Sequence, residues 1–545
     1  MTSQPGSLKR PLVENKRWQI IPKHWRFLLV IVLIIGIFLR FAHLDQKVFW
    51  FDESATMLKI SGDTAEVWSN RLPSNKLIGT EDVPKYFLPN PESNIFDTIK
   101  LLAKQDAKHA PLYFVMLRFW VDLFGNSLAA MRSLSAIISL LVFPSIYWLC
   151  VELFKKPKVG LTSVALAAVS PFHILYAQEA RMYSLQMVVV LLSSAVLLRA
   201  IRINSKQSWG IYTLSLLLSI YTHTITLFVA LAHGIYIVAA YGFRQTKITR
   251  NYLFASFISL LGFAPWLYFI ITNSEQVKSS MDWSTKAIPL SSLMTHWVIN
   301  LSRVFIDFNP SYRLNEFSSF NNPFSIFYIG AILILVGYSI YFIIRNSHRR
   351  TWILVLSLIG IPFLALALPD ILFNGIRSFN NRYLVASYLG IQLGVAYLLA
   401  TKMVFAAKLW QQKSWQILTI TLIGFSIVSC AIISTAETWW NKYYSSDIIP
   451  MTKIVNQSSQ PLLIVEKYWR SGWNLYSINN FLESKVKIKP LIEGNMTNEI
   501  SDKFSNIYVF NPSTKLKTKL RNSQKYEIQP VYNGESFKMM EVKIN

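Results

Sequence analysis

The chain has 545 residues, of which 52% are hydrophobic and 14% aromatic, and its mean hydropathy is +0.33. This composition excludes a soluble protein of that length and predicts an integral membrane protein with many spans. The net charge of +25 falls in short basic clusters between apolar runs. We therefore interpret the charge as membrane topology and expect no nucleic acid partner.

The first apolar run, Phe27 to Leu44, is predicted to be an uncleaved span, with the basic residues 1–26 in the cytoplasm. It places residues 45–127 outside as a mostly polar loop. One apolar piece of this loop, Pro111 to Phe124, is shorter than the ~20 residues needed to cross a bilayer and carries Arg118. An interfacial helix fits it better than a span.

Ten further spans are predicted, which gives about eleven in all. They are Leu128–Phe154, Val159–Tyr176, Met182–Ile201, Trp209–Tyr221, Ile225–Phe243, Tyr252–Thr272, Pro323–Ile344, Trp352–Pro369, Tyr383–Thr401 and Trp415–Thr435. Every second connection is then basic, which places the basic clusters in the cytoplasm with the N-terminus. These clusters are Lys155, Lys156 and Lys158; Arg199, Arg202 and Lys206; Arg244, Lys247 and Arg250; Arg345, Arg349 and Arg350; Lys402, Lys408 and Lys413.

Residues 436–545 differ in composition from the spans. Pro461 to Val465 and Ile507 to Phe510 are typical of buried strands, and Trp469 to Glu483 between them has a helical pattern. The sequence thus predicts an all-α polytopic membrane domain, residues 27–435, followed by a small α/β domain on the extracytoplasmic side.

Two adjacent carboxylates, Asp52 and Glu53, follow the first span and are flanked by Trp50 and Phe51. Asp52 could instead cap a helix, with Glu53 favoured in its first turn by the helix dipole. Neighbouring helical residues do not share a face, so we expect one of the two, Asp52, to reach a given substrate atom.

Four further groups are predicted to lie on the same outer face. They are Lys108 and His109 at the start of the interfacial helix; Gln178, Glu179, Arg181 and Tyr183 between two spans; His223 in a short turn; and Arg382 before a late span. Each has a structural alternative, namely a helix start, a surface ion pair, an interfacial histidine or an arginine that snorkels. Their common sidedness favours a functional site, because charged groups beside a span are costly without a cavity or a partner.

The motifs together resemble a known family. A carboxylate pair after the first span, His-x-Pro-Leu-Tyr, Pro-x(6)-Gln-Glu-Ala-Arg-Met-Tyr, a Thr-His turn and a late Arg-Tyr are similar to those of polyprenyl-phosphate-dependent glycosyltransferases of the GT-C fold. The chain most resembles the bacterial branch related to protein O-mannosyltransferases, glycosyltransferase family 39, and to lipid A aminoarabinose transferases. The resemblance covers Phe27 to Tyr183 well and the rest by topology only.

The resemblance implies transfer of a sugar, with inversion, from a polyprenyl-phosphate donor to a protein, lipid or glycan acceptor at the outer face of a bacterial plasma membrane. Asp52 matches the catalytic carboxylate, which we expect to be desolvated by Trp50 and Phe51 so that its pKa rises. Arg181 and Arg382, with His109 or Lys108, are expected to hold the donor phosphate.

Two points depart from the family or stay open. Ala110 replaces the usual second proline of a His-Pro-Pro motif, which bears on the role of His109. No cofactor is required by any ligand spacing, although Asp52, Glu53, His109 and Glu179 have the ligand types for a divalent metal. Two other functions remain open: a transporter or flippase for a lipid-linked substrate, and an assembly protein whose membrane part is an anchor.

Overall fold

The computed structural model describes residues 23–89, 92–242, 246–310, 322–467, 469–492, 494 and 503–545. Most of the predicted cytoplasmic tail, residues 1–22, lies outside the described residues. So does Arg244 of the third predicted basic cluster.

The described part of the segment predicted to be the first outer loop, for which we keep this name, forms short elements. Helix α1, Lys23–Phe41, leads into it, and its elements are α2 (Phe51–Ser61), α3 (Ala65–Arg71), β1 (Ile78–Gly79), a 3-10 helix (Val83–Phe87), α4 (Ile95–Gln105) and α5 (Leu112–Phe124). A capping box between Asn94 and Asp97 starts α4. Helix α5 has 13 residues, as expected for the segment predicted not to cross.

Apolar helices make up the membrane part. In chain order they are α6 (Leu128–Leu140), α7 (Val142–Phe154), α8 (Pro157–Ala168), α9 (Pro171–Ala177), α10 (Tyr183–Ile203), α11 (Lys206–Thr222), α12 (Leu227–Tyr241) and α13 (Lys247–Thr272). After α14 (Ser274–Ser279) and α15 (Leu290–Ser302) in the second outer loop come α16 (Pro323–Asn346), α17 (Arg349–Phe373), α18 (Val385–Phe405) and α19 (Leu409–Thr435).

Each of the eleven predicted spans coincides with a helix or a helix pair. Within the described part of the chain, eight segments are long and apolar enough to cross a membrane, and the bent pair α8–α9 would make nine. The other two predicted spans are α1, with 19 residues, and α11, with 17. The 59° bend between α8 and α9 was not predicted; it lies just before Pro171, which begins α9 and lacks a backbone N–H.

The C-terminal part contains a six-stranded sheet, as predicted in outline. Its strands are β1, β2 (Pro461–Glu466), β3 (Lys487–Leu491), β4 (Asn506–Phe510), β5 (Tyr526–Asn533) and β6 (Lys538–Ile544), in the order β1-β3-β2-β4-β6-β5. Strand β2 is parallel to β3 and β4 and fully buried, which explains its unbroken apolar sequence. The predicted helix is α21, Trp469–Asn479, which ends four residues early.

Two features of this region were not predicted. Strand β1 comes from the first outer loop and pairs antiparallel with β3, so Ile78 lies opposite Ile488. In addition, a 3-10 segment, Trp440–Ser445, follows α19 and precedes α20 (Ile448–Gln457). We call residues 438–447 the linker.

Candidate active site

Helix α2 presents the two predicted carboxylates. Trp50, in an extended conformation, occupies the N-cap position, and Asp52 and Glu53 lie in the first turn. The alternative in which Asp52 caps this helix is therefore wrong. Because adjacent helical residues point about 100° apart, the two carboxylates enter different networks.

Asp52 lies between two arginines. Its Oδ2 accepts a hydrogen bond of 2.5 Å from Arg382 and lies 3.8 Å from the guanidinium of Arg181. Its side chain is 20% exposed. Arg181 also donates to Thr56 Oγ1 at 3.0 Å, one turn along α2. The predicted association of Asp52, Arg181 and Arg382 is thus present in the structure.

The expected rise in the pKa of Asp52 is not found. Burial alone would raise it, but the charges of Arg382 and Arg181, and then of Lys59, lower the pKa below its ordinary value. The expected rise considered only the aromatic neighbours Trp50 and Phe51. The guanidinium groups of Arg181 and Arg382, which come from distant segments of the chain, have the opposite effect on the pKa. Asp52 is therefore ionised at neutral pH.

A second group of charges lies next to Arg181. Lys59 Nζ is 2.6 Å from Asp106 Oδ2, and His109 Nδ1 is 3.0 Å from the same oxygen. His109 Nε2 is 3.3 Å from Arg181, so the network favours the tautomer in which Nδ1–H donates to Asp106 and Nε2 accepts from Arg181. Lys108 lies 3.8 Å from Asp106 and donates to Ser280 in the second outer loop.

His109 is a neutral partner in this group. Burial lowers its pKa to about 3, an effect opposed by Asp106 and reinforced by Lys59. The charged members are then Lys59, Lys108, Arg181 and Arg382 against Asp52 and Asp106, four cations against two carboxylates. We call these six residues and His109 the cationic cluster. Its excess of positive charge suits an anion.

Glu53 is enclosed in the protein. Its carboxylate accepts from Arg132 at 2.8 and 2.7 Å, from Lys442 at 2.6 Å and from the backbone N–H of Ala180 at 2.9 Å. Burial would raise its pKa, but Arg132 and Lys442 lower it to about 2. Both oxygens are occupied and the side chain is fully buried. This geometry leaves neither carboxylate oxygen of Glu53 available to a substrate.

Glu179 is buried in a less charged environment. It accepts a hydrogen bond from Asn441 of the linker, and its Oε2 has no partner. Burial raises its pKa to about 7, an effect opposed by Lys442 and reinforced by Glu53. Glu179 thus exchanges its proton near neutral pH, unlike Asp52 and Glu53.

The remaining predicted site residues are placed in different ways. Tyr183 lies under the Arg181 guanidinium at 5.8 Å. His223 packs edge-on against Tyr383 at 6.0 Å, and its Nδ1 accepts from Ile225 N to cap a 3-10 turn. Gln178 is not brought to the cationic cluster: residues 178–182 form a turn and not a helix, so it does not share a face with Arg181. Its amide donates instead to Leu39 and Ala42 at the end of α1.

Sequence reasoning missed several residues of these networks, among them Asp106, which joins Lys59, Lys108 and His109. Lys59 is seven residues after Asp52 in α2, a spacing that returns to the same helical face and could have identified it. Arg132 is an ionisable residue inside a predicted span, which is itself a signal of function or of a buried partner. No local pattern marks Asn441 or Lys442, because their partners are more than 200 residues away.

A metal centre does not fit these residues. Within the described residues no group of three or more His, Cys, Asp or Glu side chains could hold a metal ion. Asp52, Glu53, His109 and Glu179 are held in separate hydrogen-bond networks, and cations already surround Asp52. We derive no step through a metal.

Comparisons with known proteins agree with this architecture. Residues 108–269 match the sequence profile of the dolichyl-phosphate-mannose-protein mannosyltransferase family. The structure is similar to a crystal structure of ArnT from Cupriavidus metallidurans bound to undecaprenyl phosphate, with a TM-score of 0.50 and 12% identity over 96% of this chain and 98% of that one. The chain has the GT-C fold. The resemblance inferred from the motifs is confirmed.

The apo form of the same ArnT matches with a TM-score of 0.48 and 12% identity over 95% of this chain and 98% of that one. No curated protein matches the sequence. The family match indicates a glycosyltransferase and does not fix the sugar. Its region contains Lys108, His109, Arg181 and His223, whereas Asp52 and Arg382 lie outside it. The fold and the apolar helices indicate an integral membrane protein.

Proposed function

We propose that the chain transfers a sugar from a polyprenyl-phosphate donor to an acceptor at the outer face of a bacterial plasma membrane. The observation that carries this proposal is the ionised carboxylate of Asp52 between the guanidinium groups of Arg181 and Arg382, at the edge of the cationic cluster. A carboxylate next to two guanidinium groups, near the ends of membrane helices, suits a reaction on a lipid phosphate. The undecaprenyl phosphate bound to ArnT supports a donor of this class.

The cationic cluster would bind the donor phosphate. Arginine offers planar pairs of N–H donors that match phosphate oxygens, and Lys59 and Lys108 add point charges. A polyprenyl-phosphate sugar carries one negative charge, and the departing polyprenyl phosphate carries up to two. The cluster's excess of two cations over carboxylates therefore favours the leaving group over the donor, which is the condition for lowering the barrier.

Asp52 would take the acceptor's proton. The acceptor oxygen attacks the anomeric carbon, the bond from that carbon to the phosphate oxygen breaks, and its electron pair leaves with the polyprenyl phosphate. The hydroxyl proton passes to the Asp52 carboxylate. A single displacement from the face opposite the phosphate inverts the anomeric configuration.

The low pKa of Asp52 is compatible with this role. The transition state resembles an oxocarbenium ion, and the acceptor hydroxyl becomes strongly acidic only as its bond to carbon forms, so a weak base suffices late in the step. A bound phosphate also draws Arg181 and Arg382 away from Asp52. This removes the largest cause of the lowered pKa and makes Asp52 a better base in the complex.

We assign Glu53 a positioning role because it joins α2 to Arg132, Lys442 and the 178–182 turn. This fixes the direction of Asp52 without contact with substrate. Glu179 and Tyr183 would border the donor sugar, and His223 would border the cluster through its packing on Tyr383.

The experiment compares wild type with Asp52→Asn in detergent. Both are incubated with polyprenyl-phosphate sugars, and released polyprenyl phosphate is measured. Asparagine keeps the size of the side chain and an oxygen for Arg382 but cannot accept a proton. We expect release to fall at least about 100-fold, the lower end for loss of a general base.

Asp122→Asn is the matched control. Asp122 is another carboxylate of the first outer loop; it is exposed and pairs with the buried Arg118. It should keep wild-type release. If wild type and Asp52→Asn release polyprenyl phosphate equally, Asp52 is not the general base. A transporter or flippase for a lipid-linked substrate would then be the better hypothesis.

A further inference from the structure

A cleft of about 440 Å³ separates the linker from the turn between β5 and β6. We call it the outer cleft. Its lining includes Trp439, Tyr443, Asp447, Tyr532, Asn533 and Glu535. Three of these are aromatic and two are acidic.

The walls of the outer cleft are fixed to each other by Asp447. Its Oδ1 accepts from the Tyr532 hydroxyl at 2.9 Å, and its Oδ2 accepts from the backbone N–H groups of Ser536 and Phe537 at 2.7 and 3.0 Å. Gly534 lies so close to Asp447 that a Cβ there would collide with the carboxylate. The cleft is therefore a built feature between the linker and the sheet.

The outer cleft borders the surroundings of Arg382, the partner of Asp52, through Tyr443. Tyr443 also lines a smaller inner cavity bordered by Trp50, Asn381, Arg382 and Asn441. Three of these side chains, Trp50, Asn381 and Asn441, are more than nine-tenths buried, and each has a side-chain nitrogen or oxygen without a partner. Buried polar atoms are normally satisfied, so this unused hydrogen-bonding capacity indicates a polar ligand.

The inner cavity and the cationic cluster approach Asp52 with different residues. Lys59, Lys108 and His109 belong to the cluster and do not line the cavity, and Arg382 belongs to both. A phosphate on the cluster and an acceptor hydroxyl in the cavity, whose volume of about 20 Å³ admits a group of that size, would both lie beside Arg382, the partner of Asp52. This is the arrangement that a two-substrate transfer requires.

The lining of the outer cleft selects among acceptor classes. Its described lining residues include two carboxylates, an asparagine and aromatic rings, and none of them is basic. Ring faces and neutral or anionic acceptors of hydrogen bonds suit a polyhydroxylated ring that is uncharged or carries an amine. They disfavour an anionic molecule, because Asp447 and Glu535 would repel it.

We propose that the outer cleft binds a glycan acceptor, neutral or amino-substituted, and passes its hydroxyl through the inner cavity to Asp52. This assignment rests on the proposed transfer reaction and names its acceptor class. The acceptor then arrives between the linker and the sheet, separately from the lipid donor.

Binding is tested without chemistry on the full chain, with Asn533→Cys carrying an environment-sensitive maleimide fluorophore. Cys150 and Cys430 are fully buried, so the exposed position 533 is the labelled one. The probes are a mannose trimer, a glucosamine trimer, a galacturonate trimer and a Ser/Thr-rich peptide. We expect saturable responses to the first two, and at least tenfold weaker binding of the galacturonate trimer.

Glu527→Cys, at the exposed far end of β5, is the labelled control and should not respond to any probe. The proposal is overturned if no oligosaccharide gives a saturable response at 533, or if the galacturonate trimer binds as tightly as the neutral one. A response to the peptide alone would make the cleft a protein site and would also overturn it.

A second measurement separates this proposal from the proposed function. A bulky polyethylene-glycol maleimide on Asn533→Cys should abolish transfer to the oligosaccharide that binds, while slow release of polyprenyl phosphate to water continues. Continued transfer past the plug would refute the cleft as the entry route. If the unplugged wild type releases no polyprenyl phosphate, the proposed enzymatic function is refuted. The fluorescence response to oligosaccharides at position 533 would still test the cleft as a binding site.

Discussion

Asp52 and Glu53 show how adjacent residues of one type acquire different chemistry. Both are ionised, but Glu53 is sealed by Arg132, Lys442 and the Ala180 N–H, whereas Asp52 keeps partial exposure and partners that a phosphate can attract. Their direction from α2 decides the difference, since one residue along a helix turns the side chain by about 100°.

Arg382→Lys should lower turnover more than donor affinity. Lysine keeps the charge but loses the planar pair of donors, one of which binds Asp52 and the other of which would bind the departing phosphate in the proposed reaction. We expect kcat to fall about 100-fold, comparable with loss of one oxyanion donor, with a smaller change in KM. Steady-state release of polyprenyl phosphate measures both constants. Arg377→Lys, beside Asp370 in the same loop, is the matched control.

Glu179→Gln should change how stability depends on pH. Burial raises the pKa of Glu179 from 4.5 to about 7, so the folded protein retains the proton while the unfolded chain releases it. Wild-type stability from this group is full below pH 4.5 and is lost as pH rises to about 7. The variant should gain roughly 3 kcal/mol over wild type across this window and no more above it.

Melting temperatures of both proteins in detergent from pH 4.5 to 8.5 measure this gain. A constant difference over that range would show that Glu179 does not titrate near neutrality.

For individual residues, the grouping in the site was predictable from the sequence, but the pKa values were not. Asp52, Arg181, Arg382, Lys108 and His109 come from separate motifs, yet their common sidedness predicted that they meet, and they do. Their pKa values were not predictable, because a pKa depends on distances of a few ångströms between groups hundreds of residues apart in the chain.

At the scale of elements, the linker acts as a clamp on α2. Ser445 Oγ accepts from Phe51 N at 3.1 Å, Lys442 binds Glu53, and Asn441 binds Glu179. Three side chains of one short 3-10 segment thus hold both α2 and the 178–182 turn. The site therefore includes residues of the C-terminal part, 436–545, as well as residues of the membrane part.

Lys442→Met tests the clamp. It leaves Glu53 buried with one cation removed, which should cost about 3 kcal/mol of stability and lower turnover through the misplaced Asp52. Lys453→Met is the control, because Lys453 pairs with Glu437 at the surface and its loss should cost less than about 1 kcal/mol. Equal melting temperatures for the two variants would contradict the clamp.

Helices and strands were easier to predict from the sequence when their apolar pattern extended over more residues. Strands β2 and β4 are continuous apolar runs, and the long spans stand out by hydropathy. Strand β1 has two residues and no pattern of its own, since its place is set by its partner β3. The ordered helices of the first outer loop were likewise hidden by their mixed composition.

For the whole molecule, the first outer loop and the C-terminal sheet are one unit through β1. Ile78→Asp should break this connection because Ile78 is 7% exposed and would carry a charge into the sheet. Leu77→Asp is the matched control, since the neighbouring Leu77 is 53% exposed. We expect a lower melting temperature and faster proteolysis of the C-terminal part for the first variant alone. Identical proteolysis of both variants would show that β1 does not hold the sheet.

The positions of the membrane helices were the most predictable property of the whole chain, because apolar runs are local in sequence and each carries its own free energy of insertion. Contacts between the linker and α2 join residues nearly 400 positions apart. No local pattern encodes such a pair, so the assembly of the site had to be seen in the structure.

The pairing of β1 with β3 has a consequence for biosynthesis. Residues 78 and 488 are neighbours in one sheet, and the chain between them contains every span after α1. The ribosome must complete about nine-tenths of the 545 residues, through β3, before the first outer loop finds its strand partner. Lys442 and Ser445, which contact α2, also follow the last membrane helix, so a nascent chain holds all its membrane helices before α2 has these partners.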